Sequence, residues 1–489
     1  MLKIAVLLPI LCGLAALLVG FHSRRLRELY LEGVTLITSV IVFIALATRQ
    51  GQTETFLRLT QTQALQFRLD GVGSLFATIV AFLWPLAMSY AFEYMQHEGH
   101  GENHFLAIYL MTYGVTLGIT FAGSLLTMYV FYEFLTLVTL PLVMHGTSKE
   151  SVSAGRMYMI YSFCGAAAAF VGVMIVTACG NGGAFTMNGV LGEAFKAEHP
   201  WLLQLGYLCC FFGFGVKAAI FPLHAWLPAA SVAPTPVTAL LHAVAVVKAG
   251  VFAVIRVTYF SFGAALLRGT PAQGIAIGFA AATIVFGSTM AVREHHFKRR
   301  LAYSTVSNLS YILLAASFMT PEGLTAGMTH MLFHALIKIT LFFCAGAVMV
   351  CTGRTMVENL RGLGKHMPVV CGVYALGAVA LSGTPGLPAF VSKWLIGTAA
   401  LSCGHVIAIV GLAALLISAV LTAIYVLSPV FFMFFRQEDE KTAIADGANV
   451  DPGLRMKIPL FILSAAILFC GLFSNRIVTL LAAIAAGVM

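Results

Sequence analysis

The stretch GVKAAIFPLHAWLPAA, residues 215–230, carries Lys217, Pro222, His224 and Pro228 within one of the most apolar regions of the chain. A proline inside a helix frees backbone carbonyls, and in hydrocarbon these survive only where they face protein or water. An ionisable side chain at bilayer depth costs at least about 2.5–3.5 kcal/mol. A lysine beside a broken helix therefore implies a hydrated cavity and a functional reason for it.

Composition establishes that a bilayer is the surrounding medium. Of 489 residues, 60% are hydrophobic and 10% charged, against about 25% charged in soluble globular domains, so the chain cannot cover a water-facing surface. Apolar runs of about 20 residues recur from end to end. They read as an all-α polytopic membrane protein with about fourteen transmembrane helices, near 2–20, 32–48, 72–92, 105–122, 124–144, 155–178, 203–221, 236–260, 272–291, 300–319, 323–350, 369–401 (interrupted), 405–435 and 458–486. Between the second and third spans, the alternating LRLTQTQALQFRLDG predicts a short extramembrane hairpin. The first apolar run has no convincing cleavage site and is expected to be a retained helix.

Charge sets the orientation. With both termini on the outer side of a cell membrane, sixteen of the 28 Lys and Arg residues fall on the cytoplasmic side and seven outside, the bias such proteins show. The connector 436–457 is mixed in sign and reads as a solvated loop. The remaining five bases lie inside spans: Lys217, Lys248, Arg256, Lys338 and Lys393. Arg256 is near enough to a helix end to snorkel. Among the nineteen acidic residues, Glu133 alone falls near the middle of a span.

The lysines come with structure-breaking company. SGTPGLPAFVSKWL combines Lys393 with Pro385 and Pro388, a weak echo of the 215–230 stretch five spans earlier. An odd number of spans gives the two copies opposite orientations, as in transporters built on inverted repeats. Desolvation makes a buried lysine exchange protons readily, and a carboxylate opposes that effect, so Glu133 is expected to pair with Lys217 and switch its proton affinity. The bland alternative is a static ion pair. Lys248 follows His242 by almost two turns. His330, His334 and Lys338 share one face of the eleventh span at i, i+4, i+8, which suits a proton relay or, less pointedly, hydrogen-bonded core histidines. His224 either caps freed carbonyls or accepts protons at the break.

Several classes find no support. The ten cysteines lack metal-ligand spacing and read as buried thiols, no nucleotide fingerprint is present, and neither a metal nor any other cofactor is expected. Nothing points to a nucleic acid partner. A haem would need histidines on facing helices. An organic-ion carrier would need a clustered polar cavity, whereas the polar residues here form a line.

These residues resemble a known family: the antiporter-like subunits shared by respiratory complex I, Mrp-type Na+/H+ antiporters and membrane-bound energy-converting hydrogenases. The resemblance runs through FRLDGVGSLF (67–76), YEFLTLVTLPLV (132–143), the whole block 215–256, KRRLAYSTVSNLSYILL (298–314), HMLFHALIKITLFFCAGAV (330–348) and TPGLPAFVSKWL (384–395). It implies fourteen helices with two inverted five-helix repeats, each with an interrupted helix. The divisions are 1–104, 105–260 (first repeat), 272–435 (second repeat) and 436–489. It also implies a Glu133–Lys217 pair, a connecting Lys248, bridging residues His330, His334 and Lys338, and an outward-releasing Lys393. The family's PPLxGF appears here as PGLPAF, and its acidic residue before KR is replaced by His295, His296 and Phe297. The function so implied is proton translocation within a multisubunit complex, without a redox centre of its own. Its partners would be homologous membrane subunits, with H+ and Na+ as the ions in question.

Overall fold

The computed structural model describes residues 1–489 except 20, 22, 62, 147, 181–182, 438–443, 445–447 and 489, so nine residues of the 436–457 connector lie outside the described residues. The first helices are α1 (Leu2–Leu18), α2 (Arg24–Thr48), α3 (Gly71–Glu98), α4 (Glu102–Thr120), α5 (Leu125–Val143) and α6 (Lys149–Cys179). Their starts follow local chemistry. The side chains of Ser23, Asp70, Ser124 and Ser148 each accept a backbone N–H of the first turn, worth about 1 kcal/mol apiece. The hairpin forms where alternation predicts it: β1 (Thr53–Arg58) pairs antiparallel with β2 (Ala64–Arg68), Glu54 opposite Phe67, with a bulge between Thr55 and Leu57.

After the short α7 (Glu193–Glu198), α8 (Pro200–Gly215) stops six residues before the expected end of its span. α9 (Trp226–Ala229) and α10 (Thr235–Ala239) follow, then a π turn at Leu240–Val244, α11 (Val246–Arg256) and a second π segment at Val257–Phe262. α12 (Ala264–Leu267) leads to α13 (Pro271–Arg293), α14 (Phe297–Ser317) and α15 (Pro321–Thr352). The interrupted span is α16 (Pro368–Ser382) and α17 (Pro388–Ser402), separated by Gly383 and Gly386 at φ +95° and +86°, a region open to glycine. α18 (Val406–Phe435), α19 (Leu454–Leu472) and α20 (Ser474–Ala486) complete the chain. The last two replace the single helix expected over 458–486.

Among the described residues, nine helices are long and apolar enough to cross a bilayer, and α1, α8, α16 and α20 are shorter apolar helices. The composite helix over residues 235–262 is wholly enclosed by its neighbours, and most of α15 is buried beside it. α6 and α18 are largely exposed and present Ile160, Phe170, Ile409 and Val420 outward, as a lipid-facing surface requires.

Two expectations are corrected. Cys164 and Cys179 are exposed, because an apolar thiol facing hydrocarbon needs no burial. Arg256 does not snorkel. It is fully buried, its NH1 lying 2.5 Å from Asp70 Oδ2 and its NH2 2.7 Å from Oδ1. Asp70 is the N-cap of α3, so one carboxylate satisfies both a helix end and a buried guanidinium.

Candidate functional site

The break after α8 is held by neighbours that take up its loose backbone. Ala219 adopts φ +56° and Pro222 has no amide donor, so the helix cannot continue. The Phe214 carbonyl accepts the Tyr132 hydroxyl at 2.9 Å, the Gly215 carbonyl accepts the Ile220 amide at 3.1 Å, and the Val216 carbonyl accepts Trp226 Nε1 at 2.8 Å. Lys217 is fully buried. Its Nζ donates to the Tyr132 carbonyl and stands 3.4 Å from the centroid of the Tyr132 ring. Tyr132 therefore clamps the break with its hydroxyl and the lysine with its carbonyl and ring.

α11 approaches this break because residue 250 is glycine. A Cβ there would lie 2.5 Å from the Ala218 amide nitrogen and 3.1 Å from Lys217 Cβ. Glu133, one residue past Tyr132, makes no ion pair with Lys217 among the described residues. Its Oε1 is buried without a hydrogen-bond partner, although the two groups interact electrostatically. His224, half-buried, packs its ring 5.7 Å from Phe221 and 4.5 Å from Phe286, and Trp226 is the side chain that donates to the freed Val216 carbonyl.

A contact series runs from α11 through α15 to α17. Lys248 Nζ lies 2.8 Å from His334 Nδ1. The His334 and His330 rings stack at 5.6 Å, and His330 Nδ1 lies 2.9 Å from the Ser392 hydroxyl. Ser392 adjoins Lys393, whose Nζ donates to the Leu381 and Ser382 carbonyls at 2.8 and 3.0 Å. Those are the last carbonyls of α16, where a cation complements the helix dipole. A charged lysine has no acceptor, so the Lys248–His334 contact places one proton between two nitrogens, either of which can carry it.

Lys338, two turns beyond His330 on the same face of α15, turns elsewhere. It donates to the Leu301 carbonyl at 3.0 Å and the Ser304 hydroxyl at 2.7 Å, and Ser304 in turn reaches the Tyr425 hydroxyl at 2.8 Å. His242 has no partner on either ring nitrogen among the described residues and packs 4.9 Å from Phe342. His242 sits inside the π turn at Leu240–Val244, whose extra residue falls before Lys248 and sets the relative facing of the two side chains.

Tyr132, Ser304, Ser392 and Tyr425 were not among the expected site residues. Ser392 and Tyr132 each have one signal, their places next to Lys393 and Glu133; Ser304 and Tyr425 have no such neighbour, because hydroxyls are common in helices and their partners lie on distant elements.

The chain matches the family described as NADH:quinone oxidoreductase/Mrp antiporter, transmembrane, over residues 122–422. It is 32% identical to the NADH-quinone oxidoreductase subunit N of Desulforudis audaxviator, over 85% of this chain and 83% of that one. It is 28% identical to a Na(+)/H(+) antiporter subunit of Alkalihalophilus pseudofirmus, over 79% of this chain, and spans 50% of that longer protein. A chain of the membrane-bound sulfane sulfur reductase, an archaeal respiratory membrane complex, superposes with a TM-score of 0.88 at 25% identity, covering 100% and 97% of the two chains. The Mrp complex from Dietzia sp. DQ12-45-1b shares the fold at 0.84 and 23%, also covering 100% and 97%. Fold and relatives agree: this multi-pass membrane chain belongs to the NADH:quinone oxidoreductase/Mrp antiporter transmembrane family.

Proposed function

We propose that the chain is a proton-translocating antiporter-like component of a multisubunit ion-pumping complex. One observation carries the reading: the buried contact series Lys248, His334, His330 and Ser392, ending beside Lys393. Such groups are expensive at bilayer depth, and a line of them without carboxylate partners among the described residues is suited to exchanging protons. Lys217 and Glu133 load the proton, with Tyr132 holding the lysine. The series carries it laterally, with Lys338 and His242 alongside, and Lys393 releases it. His224 stands at the loading end. Redox chemistry in partner subunits or an opposing ion gradient supplies the energy.

The architecture that goes with this has fourteen membrane crossings, with the 369–401 pair counted as one and α19 with α20 as another. Inverted repeats occupy 105–260 and 272–435, flanked by 1–104 and 436–489. Both termini lie on the outer side of a plasma membrane. Breaks at Lys217 and at Lys393, one in each half, support the repeat. Replacing Glu133 or Lys217 with alanine abolishes pumping by the reconstituted complex and leaves assembly intact; unaltered pumping overturns the assignment. The second reading is a Na+/H+ antiporter module, favoured by the relationship to the Alkalihalophilus antiporter protein. A proton flux that requires Na+ on the opposite side selects it.

A further inference from the structure

Two cavities outside the buried line share one seam. The first is a pocket of about 360 Å³ where α2, α3 and α19 end together, with Arg25, Glu28, Glu32, Ser89, Phe92 and Arg455 among its walls. Glu28 is already committed, accepting Arg24 Nε at 2.7 Å and a guanidinium N–H of Arg455. Glu32 is not: its Oε2 is buried and has no hydrogen-bond partner among the described residues. Arg25 is exposed at the rim, and Arg455 stacks 5.6 Å from the Phe92 ring. The pocket therefore holds an unanswered carboxylate oxygen inside and guanidinium groups at its edge. A cation with N–H donors answers the first, and a phosphate answers the second.

The second cavity, about 560 Å³ and almost wholly apolar, lies deeper along the same pair of helices. Phe82 of α3 and Ile462 and Phe469 of α19 are among its walls, with Leu332 and Leu336 of α15 as its floor. Phe82 is seven residues from Ser89, and Ile462 and Phe469 are seven and fourteen from Arg455. Each seven-residue interval is two helical turns, about 10 Å along one face, so the groove lies on the same helix faces as the pocket, about 10 Å further along. A second apolar track leaves the pocket along α2. There Leu29, Ile37 and Val40 are exposed, and Gly33 has nothing within 4 Å of where a side chain would begin.

We propose that this seam binds a diacyl phospholipid with a primary ammonium headgroup. The ammonium donates to Glu32, the phosphate lies against Arg25 and Arg455, one acyl chain fills the α3–α19 groove, and the other follows α2. A choline headgroup has no N–H to donate and a glycerol headgroup has no cation, so neither matches Glu32. This assignment does not rest on the ion-transport reading.

The test places the full chain in nanodiscs of equimolar phosphatidylethanolamine, phosphatidylcholine and phosphatidylglycerol, transfers it to detergent, and reads retained lipid by native mass spectrometry. Phosphatidylethanolamine should be retained about tenfold over the other two, as one charge-assisted hydrogen bond allows. Glu32→Gln should return the ratio to that of the bulk, and Phe82→Trp should lower retention of all three. Equal retention of the three lipids by the unaltered chain overturns the proposal. So does a Glu32→Gln protein with undiminished preference, or a seam filled by a neighbouring polypeptide that excludes lipid.

Discussion

Lys248 Nζ of α11 and His334 Nδ1 of α15 stand 2.8 Å apart in a fully buried setting. Neither side chain has a carboxylate partner among the described residues, so a charge on one bears directly on the other. Under the proposed function, proton transfer within this pair requires no backbone movement.

Lys248→Ala should lower proton translocation about 10²-fold or more, the scale of a lost proton-transfer group. Lys248→Arg is the sharper variant. It keeps the charge but does not release its proton, so it too should fail, as read by acidification of inverted vesicles. Normal pumping by the arginine variant would reduce Lys248 to a fixed charge.

Ser304 joins Lys338 to Tyr425. Ser304→Ala removes both contacts and should slow translocation several-fold, while Ser304→Thr, which restores a hydroxyl, should recover it. Assembly and thermal stability of the two variants should be alike, which separates the hydroxyl's role from packing.

Gly250→Val should loosen the packing of α11 on the backbone around Lys217. Its Cβ would meet the Ala218 amide nitrogen at 2.5 Å, in backbone that has no flexible end to yield. Overpacking of this kind destabilises by about 1–3 kcal/mol, visible as a lower thermal midpoint of the detergent-solubilised protein.

Breaking one side of the Asp70–Arg256 pair should be the most damaging change. Asp70→Asn leaves a buried guanidinium uncompensated, at about 3–5 kcal/mol. Burial alone would raise the Asp70 carboxyl; the Arg256 guanidinium and the Gly73 amide hold it below its ordinary value instead. A lowered folded value means the stabilisation is complete above the unfolded aspartate value of about 3.9 and is lost as pH falls through the lower folded one. The advantage of the unaltered protein over Asp70→Asn should thus persist at neutral pH and vanish only well below pH 4, measured by thermal denaturation against pH.

How much was legible in the chain varies by residue. The hairpin at Thr53–Arg68 and the interruption between Ser382 and Pro388 follow from alternation and from glycine and proline, both local properties. The stop at Gly215 came earlier than hydropathy suggested, because residues 216–221 are apolar whether helical or not. Glu133 and Lys217 were expected to meet as an ion pair, yet Lys217 binds the Tyr132 carbonyl. A carbonyl is present at every residue and leaves no mark in composition.

What the sequence alone determined is the medium, which two spans are broken and which titratable groups lie at depth, since transfer free energy and proline chemistry belong to each residue and its near neighbours. Only the tertiary structure decided the partners: Arg256 with Asp70, Lys248 with His334, Lys338 with Ser304. Those choices depend on which helix faces cross within hydrogen-bond reach. That is set by contacts such as Gly250 on Ala218 and by one added residue in a π turn, neither of which has a one-dimensional signature.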